Sequence, residues 1–189
     1  MVSPHSRSKF PLGQGHGMRI SNRRFRRRGF TLIEVLIVVV ILGILASTVL
    51  PQFASSTANA KESALRADLS QMRRQIQYYR FQHDGIFPNG TATNVANQLT
   101  MSTDLIGNTA AAGTAGFPFG PYLIGRLPVN PYNGGNGVVV KAAAVGTADV
   151  DPTAMQGAVK VGWIYSTLTG QVIANSIGSA ADGTALSAL

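Results

Sequence analysis

Arg26-Arg27-Arg28-Gly29-Phe30-Thr31-Leu32-Ile33-Glu34 runs straight into the apolar segment Val35 to Leu50, and no charged residue occurs from Val35 to Ala60. As a helix rising about 1.5 Å per residue, this stretch can cross a hydrocarbon layer of roughly 30 Å. Arginines directly before such a helix match the positive-inside pattern, which holds the N-terminus in the cytoplasm and exports the C-terminal remainder of the chain. The chain is therefore expected to enter a membrane, with everything beyond Leu50 on the far side.

The charge distribution agrees. Of the 16 Lys and Arg in 189 residues, half precede Gly29, and all 8 acidic residues come after it, so the net +8 belongs to a leader and the rest is balanced. That distribution excludes a basic nucleic-acid-binding face. Cysteine is absent, which leaves packing, or packing with a bound ligand, to hold the exported part.

Residues 1 to 17, with Pro4, Pro11, Gly13, Gly15 and Gly17, show little periodicity. Met18 is an alternative start, leaving a short leader from Met18 to Gly29. Two simpler readings compete for the apolar run. A secretory signal peptide could end near Ile44-Leu45-Ala46-Ser47, but Glu34 lies inside its hydrophobic region and helical character continues beyond. A plain signal anchor gives no reason for Gly29-Phe30 or Glu34.

A carboxylate in lipid is costly unless paired, and such residues commonly mark function. A cut before Phe30 would create an amine four residues, about one helical turn, from Glu34. A positive N-terminus, that of a neighbouring copy, is its natural partner; an interfacial glutamate without a partner is the alternative. Pro51 reads as a bend and not an end, since membrane helices tolerate proline. Beyond it Leu65, Leu69, Met72, Ile76 and Tyr79 recur every three or four residues and predict an amphipathic helix over 54–83. Phe30 to His83 can form one helix about 80 Å long.

Asp84-Gly85 is expected to close that helix, with turn chemistry at Phe87-Pro88-Asn89-Gly90. A short helix is expected within Val95 to Leu105, with Leu99 and Leu105 facing inward. Residues 108–116 read as loop, and 117–124 as a packed loop or short helix because of its prolines. Residues 127–137 read as successive turns, with a small ligand nest of Asn and Gly as the lesser alternative. Val138-Val139-Val140 is β-prone, and 159–166 with 171–175 form an expected antiparallel hairpin. Trp163 and the tyrosines are assigned to the core. The tail from Ser176 to Leu189 is expected to be mobile at its end.

No nucleophile-base constellation is apparent, and His83 is the only histidine after the leader. The carboxylates are scattered. A building block is expected, not an enzyme.

Arg28-Gly29-Phe30-Thr31-Leu32-Ile33-Glu34-Val35, with Gly43 and Pro51 behind it, resembles the N-terminal motif of the type IV prepilin-like family. The resemblance implies that a prepilin peptidase cuts between Gly29 and Phe30 and methylates the new amine, and that Glu34 serves assembly. Within the family, the Asp84-Gly85-Ile86-Phe87-Pro88, Gly120-Pro121-Tyr122-Leu123, Leu127-Pro128-Val129-Asn130-Pro131-Tyr132 and Gly162-Trp163-Ile164-Tyr165 segments are most similar to the major pseudopilins of type II secretion. That likeness implies an α+β fold of type IV pilin form, a long N-terminal helix packed on a small antiparallel β-sheet. Its parts would be a leader (1–29), a membrane-spanning and filament-core helix (30–54), its amphipathic continuation (55–84) and a loop-rich region with the sheet (85–189).

It further implies an inner-membrane precursor with a periplasmic C-terminal domain. The mature chain would polymerise into a pseudopilus for secretion across the outer membrane. Its partners would be copies of itself, minor pseudopilins, the peptidase, an inner-membrane assembly platform, and lipid before assembly. A surface pilus for adhesion, motility or DNA uptake is the nearest alternative; a soluble exported binding protein is the other. Major pseudopilins also carry an acidic calcium loop near the C-terminus. Here Ser176 to Gly183 offers only Asp182, with Asp149 and Asp151 as further contributors, so the expectation is no cofactor, with Asp182 a weak calcium candidate.

Overall fold

The computed structural model describes residues 29–189, so the arginine cluster, the Met18 start and the rest of the leader lie outside the described residues. Helix α1 is Leu32–Gln82, and it belongs through Leu45 to one compact unit and from Ala46 to a second.

In the first unit the helix starts two residues after Phe30, because Thr31 takes the capping position. Its Oγ1 accepts the Glu34 amide at 3.3 Å, and its carbonyl accepts the amides of Glu34 and Val35. The apolar side chains from Leu32 to Leu45 are exposed all round, from 48% at Val38 to 85% at Leu32. A helix apolar on every side has no stable place in water and requires lipid or other helices around it. By length and composition α1 can cross a membrane.

In the second unit α1 contains Pro51, so the helix does not end there. The hydroxyls of Ser55, Ser56 and Thr57 donate back to the carbonyls of Gln52 and Phe53. Further on, Leu65, Leu69, Met72, Ile76 and Tyr79 are all at most 2% exposed, as their spacing predicts. The helix closes where expected: Asp84 (φ 51°) and Gly85 (φ 84°) adopt left-handed backbone, and the Gly85 amide donates to the Arg80 carbonyl at 2.9 Å.

Helix α2, Ala92–Thr100, begins earlier and ends sooner than the expected Val95 to Leu105. Thr91 caps it, accepting the Asn94 amide at 3.2 Å. Leu99 is buried but Leu105 is 49% exposed. That residue falls in a turn gathered by Asp104, whose Oδ1 accepts the amides of Ile106 and Asn108. The expected loop 108–116 also contributes a short strand, β2 (Thr109–Ala110), antiparallel to β1 (Ser102–Thr103). Residues 117–124 form a packed loop, bridged to Thr103 through Phe119, with Tyr122 and Leu123 buried.

The main sheet is built on β5 (Val159–Ser166), with β3 (Gly137–Lys141) on one side and β4 (Met155–Gln156) and β6 (Val172–Ala174) also paired to it. The hairpin is in place, with Trp163 opposite Ala174 and Tyr165 opposite Val172. β4 is also antiparallel to β5, but β3 runs parallel to it. The physical reason is the connection: residues 142–158 cross over between β3 and β5 instead of turning tightly, and β4 lies at the end of that crossover.

Trp163, Tyr165, Tyr79 and Tyr122 join the α1 stripe in one core. Their polar ends are satisfied, Trp163 Nε1 donating to the Pro128 carbonyl at 2.8 Å and Tyr165 Oη to that of Pro88 at 3.0 Å. Tyr78, one residue off the stripe, is exposed and not core. Residues 127–137 reach β5 so closely that a Cβ on Gly162 would collide with the Gly135 carbonyl. The tail is not loose at its end: Leu186 is buried in a final 3-10 turn, Leu186–Ala188. Apolar Leu186 outweighs the polarity of its neighbours.

Candidate functional site

Gly29, Phe30 and Glu34 fall on one short exposed segment leading into α1. Gly29 lacks positive φ, and a Cβ there would meet nothing within 4 Å. Among the described residues nothing in the fold demands glycine at this position. Phe30 is 77% exposed and also serves no core. Glu34 stands in the first turn, where the helix dipole favours a carboxylate. The ion pairs among the described residues all lie elsewhere. Glu34 is therefore a carboxylate in an apolar surface with no cation of its own among the described residues. Thr31 sets where α1 begins, a capping role signalled in the sequence by the Thr-x-x-Glu spacing.

The remaining sequence candidates are structural. His83 is buried, stacked on the Tyr79 ring at 3.7 Å, and its nitrogens contact the Tyr79 carbonyl at 2.8 Å and Thr103 Oγ1 at 3.0 Å. No carboxylate orients it. Asn130, fully buried, donates to the Gly162 carbonyl at 2.8 Å and Ser176 Oγ at 3.0 Å. Asn133 donates to the carbonyls of Val161 and Asn175. The side-chain amides of Asn130 and Asn133 are thus spent on the fold.

Asp182 meets Arg66 of α1 at 3.0 Å, and its other oxygen accepts the Thr184 amide at 2.9 Å. That amide and the Thr184 hydroxyl, and after them the guanidinium, hold the Asp182 carboxyl below the usual range. Asp149 pairs with Lys141 at 3.1 Å, and Asp151 accepts from the Thr153 amide and hydroxyl. No three metal-ligating side chains gather among the described residues. Calcium takes six to eight oxygens, usually with several carboxylates; at Asp182 the one other carboxylate, Glu62, shares the same guanidinium, and this arrangement does not fit it.

Comparison with known proteins points to the same N-terminal segment. Residues 24–50 match the prokaryotic N-terminal methylation motif. The type II secretion system core protein G of Klebsiella pneumoniae is 32% identical over 107 residues, 57% of this chain and 70% of the relative. That of Pseudomonas aeruginosa is 41% identical over 58 residues, 31% of this chain and 41% of the relative. The type IV major pilin protein PilA of Myxococcus xanthus is 48% identical over 52 residues, 28% of this chain and 24% of the relative. The chain thus spans under half the length of the latter two. No solved structure matches it.

Proposed function

Because the chain belongs to the family of the type II secretion system core protein G, we propose that it is a structural subunit of a pseudopilus, a filament supporting protein secretion across the outer membrane. A prepilin peptidase cuts the precursor between Gly29 and Phe30 and methylates the Phe30 amine. The subunit waits in the inner membrane with the apolar first part of α1, up to about Leu50, in lipid and the rest of the helix and the residues beyond it in the periplasm. It then leaves lipid for a helical filament, where the apolar surface of α1 packs on other copies. Minor pseudopilins and an assembly platform complete the machine, and the subunit itself performs no catalysis.

One observation carries the choice of machine: the match to the Klebsiella protein covers 107 residues, more than twice the 51 of α1, and so extends beyond the helix. The PilA match, at 52 residues, is only about the length of that helix. This second likeness supports the surface-pilus reading to the extent of a shared way of assembling. Several features support processing at Gly29. The glycine is unexplained by the fold, the methylation motif covers it, and the exposed apolar helix begins directly after it.

Intact mass and N-terminal peptide mapping of the protein from native membranes test the reading. A mature chain starting at methylated Phe30 is expected, with loss of exoprotein release on deletion of the gene. A start after Ala46, or an uncut leader, overturns the assembly class. Loss of twitching or transformation with normal secretion overturns only the choice of machine.

A further inference from the structure

We propose that Arg66 acts as a built-in cation for the C-terminal loop Gly178–Leu186, so that this part of the fold is held to α1 without any divalent metal. The guanidinium lies between two carboxylates, 3.0 Å from Glu62 Oε1 on its own helix and 3.0 Å from Asp182 Oδ2 on the loop. Glu62 also grips the loop directly, since its Oε2 accepts the Ala181 amide at 2.8 Å. Each oxygen of both carboxylates is thereby engaged.

The loop is already shaped around this contact. The Ala180 amide donates to the Thr184 carbonyl at 2.8 Å, and the Leu186 amide to that of Gly178 at 3.0 Å. Leu186, at the end of the loop, shares the core with Leu65 and Leu69 of α1. A divalent ion seated on Asp182 would stand beside a fixed positive charge and would have to displace it. The guanidinium is planar, always charged at attainable pH, and covalently tethered, so dilution cannot remove it. In the resembled family an acidic loop waits for calcium; here the cation comes with the chain. The subunit then stays folded whatever the divalent concentration outside the cytoplasm.

The test uses the full chain in detergent micelles. Thermal unfolding, read by Trp163 fluorescence, is measured with excess calcium chloride and with a chelator, and limited proteolysis is read by mass spectrometry for cuts between Gly178 and Leu186. Wild-type midpoint and cleavage rate are expected to be the same in both solutions. Arg66→Gln is expected to be cut in the loop about fivefold faster, as loss of a surface ion-pair network allows, with Arg66→Lys intermediate and no rescue by calcium. Should Arg66→Gln fold poorly, Asp182→Asn removes the loop's carboxylate while keeping the Glu62–Arg66 pair, and the same faster cleavage is expected. A calcium-dependent rise in the wild-type midpoint, calcium rescue of Arg66→Gln, or unchanged cleavage in both variants overturns the proposal.

Discussion

Arg73 of α1 donates from Nη1 to the backbone oxygen of Leu189 at 2.7 Å, joining residues 116 apart in sequence. Its Nη2 reaches the Val172 carbonyl at 3.2 Å, so one guanidinium holds both the hairpin and the last turn. Burial lowers its pKa, yet it remains charged at any working pH. Arg73→Ala leaves two backbone oxygens without this donor and is expected to destabilise the fold by about 1–3 kcal/mol, as measured by chemical denaturation. A change below a few tenths would show that water replaces the guanidinium at no cost.

The core stripe gives a sharper contrast on the same helix. Ile76 is fully buried whereas Phe81 is 83% exposed. Ile76→Ala is expected to cost about 2–5 kcal/mol by transfer and cavity terms, and Phe81→Ala about 0.5 kcal/mol or less. Thermal unfolding of the two variants in the same detergent ranks them.

These positions also show how far the residues alone reveal the fold. The stripe from Leu65 to Tyr79 and the stop at Asp84-Gly85 are legible because helix periodicity and left-handed turns leave local marks. The hairpin around Trp163 is legible for the same reason. Arg73 is not, because a guanidinium seeking carbonyls 99 and 116 residues away has no local signature. The parallel pairing of β3 with β5 is a property of the crossover between them, not of Val138 to Val140. Leu105 fails as a core residue because the Thr91 cap shifts α2 toward the N-terminus. In the candidate site, Gly29 and Phe30 stand out in sequence because no folding rule asks for them, and Glu34 because it places a charge at the head of an apolar run.

Burial pushes the Tyr79 hydroxyl from 10.0 up to about 12. The folded state therefore binds this proton more tightly than the unfolded chain. Its stabilising contribution is whole below pH 10 and is lost as pH rises from 10 to about 12. Stability measured by denaturant across that window should fall, and Tyr79→Phe should fall less steeply. Equal slopes would assign the loss to other groups.

At Gly29 the described residues offer no objection to a side chain, since none of them lies within 4 Å of a Cβ there. Gly29→Val should therefore leave the folded domain intact, with an unchanged unfolding midpoint. Cleavage before Phe30 should nonetheless stop, and the precursor should accumulate in the membrane at its full mass. A mature band of wild-type size in this variant would remove the peptidase from the account.

Glu34 is the position at which the proposed cleavage and assembly steps can be told apart. Its carboxylate stands in the first turn of a helix whose neighbouring side chains are apolar and exposed, and the ion pairs among the described residues do not involve it. In lipid it can sit near the interface and keep contact with water. In the core of the proposed filament it would not, and the amine of a neighbouring Phe30, still cationic after methylation, would be its partner. Breaking a buried pair by removing one member costs about 3–5 kcal/mol. Glu34→Gln keeps the shape and removes the charge, so it should leave cleavage and methylation of Phe30 in place and reduce filaments at least about tenfold. Glu34→Ala should do the same. Immunoblots of sheared filaments alongside N-terminal mass mapping measure both steps at once. Normal filaments in the Gln variant would mean that shape, not charge, recruits the next subunit; loss of methylation instead would move Glu34 from assembly to recognition by the peptidase.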